Sequence, residues 1–267
     1  MIAPAPAKVN LALVVGPRRA DGKHEVATVL QRVDFGDRIA VEPAAQTTVE
    51  GFPEDTIVRA GLDALAAPHG WRVRIEKHIP VAAGLGGGSS DAATALRLAN
   101  AQLQRPLGPP ELHAVAAALG ADVPFFLADG PQLGTGDGTE LEPLDLPQDF
   151  AVLLLLPHGS AKRSTADVYA QFDDRGGEAG WEERVAALRA ALAAVRRPRD
   201  LAALPRNDLA GSPLSEELLA HGAFRADVSG AGAALYGLFH RRPDATRAAR
   251  ALKPRGRFWI TVPAWYG

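Results

Sequence analysis

The sequence predicts an α+β fold with two domains. Strand-like and helix-like segments are mixed in both halves of the chain, without the regular strand–helix–strand alternation of a doubly wound parallel sheet. The 267 residues, 47% of them hydrophobic, can bury one large core or two ordinary ones, and this length favours two. The stretch 143–149 has the composition of a linker, so we expect one domain over 1–147 and another over 148–267.

The first half opens with strand candidates. Apolar side chains alternate over 7–15, and the glycines, proline and charged residues of 16–22 predict a turn after them. Two further strands are predicted at 25–35 and 37–43. A fourth, at 71–75, delivers the chain into a glycine-rich run.

Helices are predicted around the last of these strands. Residues 56–66 and 91–103 have helical periodicity, and a third helix at 109–119 is stopped by Gly120. A short strand with glycine-rich turns is predicted at 134–137.

The second half mixes the two kinds of element again. Residues 150–156 form a short apolar run typical of a buried strand, and 181–195 form an amphipathic helix. The remaining predictions are a helix at 215–220, a strand pair around 228–236, a helix at 243–252 and a closing strand at 257–262.

Composition and charge exclude several kinds of partner and site. The net charge of −2 gives no positive field for a polyanion, which argues against a nucleic-acid partner. The chain has no cysteine, which excludes disulfides and thiolate metal sites, and no histidines and carboxylates have convincing metal-ligand spacing. No apolar run is long enough to span a bilayer, and the first residues lack the pattern of a signal peptide. We therefore expect a cytoplasmic protein without a membrane partner; the oligomeric state stays open.

The run 80–96 is the most informative segment. It places a glycine cluster and two serines, Ser89 and Ser90, directly before an alanine-rich helix candidate. Glycines let backbone N–H groups approach an anion, and a helix N-terminus adds unpaired N–H groups and the positive end of its dipole. The run is not a Walker A loop, because no Gly-Lys-Ser/Thr ends it, and it is not a complete Gly-x-Gly-x-x-Gly, because Ser89 takes the last glycine position. It predicts a phosphate site of another kind, or else a flexible turn capped by one of the serines.

Four motifs resemble those of the GHMP family of small-molecule kinases, in the same order and over nearly the whole chain. They are residues 7–11 (AKVNL), the run 80–96, residues 120–126 (GADVPFF) and residues 229–232 (SGAG). The resemblance implies a ribosomal protein S5-like N-terminal domain and a ferredoxin-like C-terminal domain, with ATP and the second substrate meeting in the cleft between them. It also implies that Mg²⁺ arrives with ATP, in contact with Ser90. The implied nucleotide-binding residues are Lys77, Pro80, Gly84, Leu85, Gly86, Gly87, Gly88, Ser89 and Ser90.

The resemblance assigns the chemistry to Lys8 and Asp122. Asp122 would contact the substrate hydroxyl and either accept its proton or only orient it, while Lys8 would neutralise charge on the transferring phosphoryl group. From the residue pattern alone, we would expect Asp122 to be the N-cap of the next helix and Lys8 to be an exposed surface lysine. Asn10 leaves the same strand face as Lys8 and is implied to lie near that hydroxyl. Gly230 and Gly232 are implied to close over the phosphate end of the substrate.

A diphosphocytidyl small molecule is the implied second substrate, because residues 21–24, together with residues 7–11 and 120–126, favour the family members that use one. His24 would bind the cytosine edge. Thr165 and Tyr169, four residues apart on one helix face, would contact the cytidine, Tyr169 by stacking. The residue before this histidine is commonly tyrosine in the family, and here it is Lys23.

Three alternatives remain beside this hypothesis. Another kinase of the family, of the homoserine or mevalonate type, would share the glycine run but lack the apparatus of His24, Thr165 and Tyr169. A catalytically inactive nucleotide sensor is disfavoured because Lys8 and Asp122 are both present. An RNA-binding module is suggested only by the S5-like domain, and a shared fold does not establish function.

Overall fold

The computed structural model describes residues 1–52, 56–160 and 164–264. It opens with two long antiparallel strands, β1 (Ile2–Arg18) and β2 (His24–Ala44). These strands form the centre of the first sheet and carry several of the predicted functional residues.

The two strands predicted at 25–35 and 37–43 are a single strand, β2. Gly36 joins them, because a Cβ at this position would lie only 2.4 Å from the carbonyl oxygen of Ala5 on β1. A register shift between Pro6 and Ala7 accommodates the local bend.

The predicted turn at 16–22 is also shorter than expected, since β1 continues to Arg18. Gly16 is not a turn residue. A Cβ on Gly16 would lie 2.6 Å from the ring of Trp181, so the missing side chain makes room for an indole from the second half of the chain.

The first sheet is completed by four shorter strands. They are β3 (Thr48–Glu50), β4 (Gly70–Glu76), β5 (Gln132–Thr135) and β6 (Glu140–Pro143), in the order β3-β4-β2-β5-β6 with β1 paired to β2. The helices of this half are α1 (Thr56–Ala64), α2 (Gly87–Asn100) and α3 (Pro109–Leu119). The sequence prediction of α3 is confirmed at both ends, whereas β3 and β6 were not predicted.

The second sheet has four antiparallel strands in the order β10-β7-β9-β8. In chain order the elements of this half are β7 (Ala151–Pro157), α4 (Thr165–Asp174), α5 (Trp181–Ala194), α6 (Pro213–Ala220), β8 (Arg225–Val228), β9 (Leu235–Phe239), α7 (Arg242–Ala251) and β10 (Gly256–Thr261). The first of its strands lies between the last and the third, which is the ferredoxin-like arrangement. The α+β prediction is confirmed in both halves.

Helix α2 begins inside the glycine run, four residues earlier than predicted. Its N-cap is Gly86, with φ +72, and no side chain caps it. Ser89 and Ser90 therefore lie within the first turns, and the interpretation of either serine as a cap is wrong. The unpaired N–H groups of a helix N-terminus consequently fall on residues 87–89.

The two halves share a hydrophobic cluster. Leu11 of β1 is buried together with Leu154 of β7 and Leu188 of α5. Each half also has a cluster of its own beneath its helices. The division into 1–147 and 148–267 remains a prediction. Among the described residues, no helix is both long and apolar enough to cross a membrane.

Candidate active site

A cleft of about 330 Å³ opens between the two halves. Its walls come from β1, β2, the glycine-rich loop before α2, the start of α4 and the loop between β8 and β9. Most of the residues implied for catalysis and substrate binding line it, together with part of the glycine loop: Lys8, Asn10, Gly84, Gly86, Ser89, Asp122, Thr165, Tyr169, Gly230 and Gly232.

Lys8 lies at the base of this cleft. Its side chain is 4% exposed, and its Nζ is 2.6 Å from Asn10 Oδ1 and 3.2 Å from Asp122 Oδ2. Asp122 is 36% exposed at the cleft surface. The helical turn after Asp122 has Val123 as its N-cap and no side-chain cap, so the N-cap interpretation of Asp122 is wrong. A buried ammonium beside an accessible carboxylate suits a reaction in which negative charge develops next to a proton acceptor.

The amide of Asn10 is held in one orientation. Its Nδ2 donates to Thr28 Oγ1 at 2.8 Å, and the Thr28 hydroxyl donates to the Ala12 carbonyl at 2.9 Å. The carbonyl oxygen of Asn10 must therefore face Lys8, where it accepts a hydrogen bond. This arrangement fixes the lysine ammonium in the cleft.

The glycine loop reaches both Lys8 and the second half of the chain. A Cβ on Gly86 would lie 2.9 Å from Lys8 Cγ, so only a glycine allows this approach. The Gly84 carbonyl accepts a hydrogen bond from Ser229 Oγ at 2.9 Å, and a Cβ on Gly84 would lie 2.3 Å from the Ser229 carbonyl oxygen. The loop at 229–232 thus contacts the glycine loop directly.

The other end of the cleft is aromatic. The ring of Tyr169 stacks on that of His24, with centroids 4.8 Å apart and planes 27° apart. His24 is buried and does not line the cleft; its Nε2 lies 2.7 Å from Asp173 Oδ1. Burial, together with the charge of Asp122, raises the pKa of Tyr169 to about 12, so its phenol is neutral. Ser164 caps α4, which leaves the hydroxyl of Thr165 free of that role.

Lys23 makes an ion pair at the edge of the cleft. Its Nζ lies 2.5 Å from Asp137 Oδ2, and Asp137 itself lines the cleft. Burial opposes ionisation of Asp137, but hydrogen bonds from Lys23 and Thr139 outweigh it and lower its pKa to about 2. Asp137 is therefore ionised at neutral pH, and the ammonium of Lys23 is paired with it.

Several residues implied for the nucleotide do not line this cleft: Lys77, Pro80, Leu85, Gly87, Gly88 and Ser90. Lys77 Nζ instead bridges two buried carboxylates, Asp37 Oδ2 at 2.6 Å and Asp91 Oδ2 at 2.8 Å. Burial and the charge of Asp37 raise the pKa of Asp91 to about 8, against the opposing effect of Lys77. A Cβ on Gly87 would lie 3.2 Å from Lys77 Nζ, which places this ammonium beside the first turn of α2.

Several residues with contacts to the site were not assigned roles from the sequence, among them Thr28, Asp137, Asp173 and Ser229. Asp173 binds His24, and Ser229 joins the two loops. Asp173 lies four residues after Tyr169 on α4, a spacing that places both on one helix face and could have indicated it. Nothing local to Ser229 indicates its contact with a loop so distant in sequence.

The chain is similar to known small-molecule kinases over nearly its whole length. The model of the GHMP kinases N-terminal domain matches residues 55–130, and that of the GHMP kinases C-terminal domain matches residues 213–256. A relative from Desulfitobacterium hafniense, named 4-diphosphocytidyl-2-C-methyl-D-erythritol kinase, is 36% identical over 96% of this chain and 93% of its own length. One of the same name from Deinococcus radiodurans is 38% identical over 97% and 91%.

Solved structures agree in fold. A crystal structure of 4-(cytidine 5'-diphospho)-2C-methyl-D-erythritol kinase is 34% identical, with a TM-score of 0.76 over 99% of both chains. A mevalonate kinase structure has a TM-score of 0.74 over 98% of this chain and 99% of its own, at 12% identity. The second likeness concerns the fold alone.

Proposed function

The chain belongs to the GHMP kinase family, and from this premise we propose that it transfers the γ-phosphoryl group of ATP to the 2-hydroxyl of 4-diphosphocytidyl-2-C-methyl-D-erythritol. It is an ATP-dependent small-molecule kinase, and we assign its reaction to non-mevalonate isoprenoid biosynthesis in the cytoplasm. The observation that carries the proposal is the Lys8–Asp122 pair, 3.2 Å apart, in a cleft that also presents the glycine loop and Tyr169.

The nucleotide phosphates would lie against the glycine loop. The helix N-terminus at residues 87–89 offers unpaired N–H groups, and Lys77 lies beside it. Ser90 Oγ is buried and has no hydrogen-bond partner among the described residues, which suits a ligand oxygen or a Mg²⁺ that arrives with ATP. Within the described part of the chain, no group of three or more His, Asp or Glu side chains could hold a metal ion. When bound, Mg²⁺ would neutralise phosphate charge.

In the proposed reaction the substrate hydroxyl attacks the γ-phosphorus, the bond to the β,γ-bridging oxygen breaks, and ADP leaves. Asp122 accepts or orients the hydroxyl proton from its accessible position at the cleft surface. Lys8, fixed by Asn10, stabilises the charge on the transferring group.

The cytidine would bind at the aromatic end of the cleft, by Thr165 and Tyr169. One face of the Tyr169 ring is occupied by His24, so the base would stack on the other face or enter between the two rings. For His24 to bind the cytosine edge, as the resemblance implies, its stack on Tyr169 would have to open when the base binds. Asp173 would then orient the imidazole ring. Lys23 is engaged by Asp137 and supplies no second aromatic face.

We expect Tyr169→Ala to weaken binding of the cytidyl substrate by about 1–3 kcal/mol, the usual contribution of one base–aromatic stack. Tyr169→Phe keeps the ring and should bind within about twofold of wild type. The KM of the cytidyl substrate measures both variants. Equal KM values for the alanine variant and wild type would place the cytidine elsewhere.

We expect Gly86→Ala to raise the KM for ATP about tenfold. Residue 86 has φ +72, and the cost of about 1–2 kcal/mol for an L-residue in this left-handed conformation would favour a relaxed free loop that ATP must then restore in order to bind. The new Cβ would also press on Lys8 Cγ, so kcat should fall as well. Gly108→Ala is the matched control, since Gly108 caps α3 with φ −70. An unchanged KM for ATP in a folded Gly86→Ala variant would contradict the loop assignment.

The proposed function is tested by one phosphotransfer assay that compares three acceptors at equal concentration with ATP and Mg²⁺. We expect turnover with the diphosphocytidyl substrate and negligible turnover with mevalonate or homoserine. Preference for either of the latter would favour another kinase of the family. ATP binding without turnover of any acceptor would favour the nucleotide sensor.

A further inference from the structure

Asn207 lies outside the cleft, directly behind the loop at 229–232, and the proposed chemistry gives it no role. Its Nδ2 donates to the Gly230 carbonyl at 2.7 Å and to the Val228 carbonyl at 3.0 Å. Its Oδ1 accepts from the Leu209 N–H at 2.8 Å. The side chain is fully engaged, so its orientation is fixed.

These contacts set the orientation of one peptide group. In a trans peptide the C=O and the following N–H point in opposite directions. Asn207 does not line the cleft, whereas Gly230 and Ala231 do, so the Gly230 carbonyl points away from the cleft. The Ala231 N–H therefore points into it. Among the described residues this N–H has no hydrogen-bond acceptor.

The position of this N–H matches one part of the proposed substrate. A Cβ on Gly230 would lie 3.6 Å from Lys8 Nζ, at the reacting end of the cleft. Ala231 packs with Tyr169 and Leu209 in the cluster at the cytidine end. The Ala231 N–H thus lies between the two ends of the cleft, as the diphosphate lies between the cytidine and the reacting end of the proposed substrate. Gly230, with φ +56, has the left-handed conformation found where successive N–H groups surround an anion.

We propose that Asn207 is a positioning residue that aims the Ala231 N–H at the diphosphate of the bound substrate. The inference rests on the proposed function, because it needs a diphosphate in this cleft. Without the two hydrogen bonds from Nδ2, the Gly230–Ala231 peptide could turn over and present a carbonyl oxygen to the phosphates.

The test compares binding of cytidine 5'-diphosphate and cytidine by calorimetry, without ATP. Asn207→Asp keeps the shape and the acceptor for Leu209 N–H, but it opposes a carboxylate to two carbonyl groups. We expect it to weaken binding of the diphosphate about tenfold, as for a lost hydrogen bond to a charged group, and binding of cytidine less than about twofold. Ala231→Pro removes the N–H itself and should also weaken binding of the diphosphate more than binding of cytidine. This second variant tests the inference even if Asn207→Asp does not fold.

Asn100→Asp is the matched control. Asn100 also closes a loop, through Leu107, but away from the cleft. It should lower thermal stability without changing the ratio of the two affinities. Equal losses for both ligands in Asn207→Asp, or an Ala231→Pro variant that binds the diphosphate like wild type, would overturn the inference. A wild-type protein that binds neither ligand would instead contradict the proposed substrate.

Discussion

Replacing Asp122 by asparagine should lower kcat by about two to four decades, the usual contribution of a positioned general base. Asparagine has the same shape, and its amide oxygen can still accept from Lys8. What it loses is the negative charge that accepts or orients the hydroxyl proton. Because Asp122 is 36% exposed and caps no helix, the free energy of unfolding should change little.

The measurement is steady-state kinetics together with thermal unfolding and the affinities for ATP and the cytidyl substrate. Asp129→Asn, an exposed carboxylate further along the chain, is the matched control and should keep the wild-type kcat. If the Asp122 variant retains wild-type kcat, the residue has no catalytic role. A large loss of stability would mean that its contact with Lys8 is structural.

Replacing Lys8 by methionine should lower kcat by about two to three decades, the usual loss when one group that stabilises transition-state charge is removed. Methionine is similar in length and suits the buried position, since the lysine side chain is 4% exposed. The change frees Asn10 Oδ1 and Asp122 from their ammonium partner. Asp122 remains hydrated at the cleft surface, so the free energy of unfolding should change less than the activation free energy that kcat reports.

Lys253→Met tests whether loss of any lysine has this effect, because Lys253 is exposed and far along the chain in the second half. We expect it to match wild type. In Lys8→Met the KM for the cytidyl substrate should change much less than kcat, since the interaction matters most where charge develops. A rise in KM with an unchanged kcat would assign Lys8 to ground-state binding instead.

The sequence predicted the local elements where periodicity and a clear stop coincide. Helix α3 is correct at both ends because prolines occupy its first positions and Gly120 follows its last apolar residue. The start of α2 was placed too late, because the glycines in its first turn have low helix propensity. The close approach of Gly86 to Lys8 and of Gly87 to Ile79, which leaves no room for a side chain, is a tertiary contact that the local sequence does not show. The joining of two predicted strands into β2 depended on the close approach of Ala5 to Gly36, a contact that no local pattern encodes.

The sequence by itself determined the fold class, the glycine loop and the residue types for phosphoryl transfer, because periodicity, glycine spacing and short motifs are local properties. Only the tertiary structure decided which of these residues meet. Sheet register brings Asn10 to Thr28, and packing of the halves sets Ser229 on Gly84 and Asp173 on His24. Packing within the second half places Asn207 behind Gly230. Such contacts join residues far apart in the chain and depend on the packing of whole elements. Local spacing can therefore indicate the helix face on which a residue such as Asp173 lies, but not the partner that it meets there.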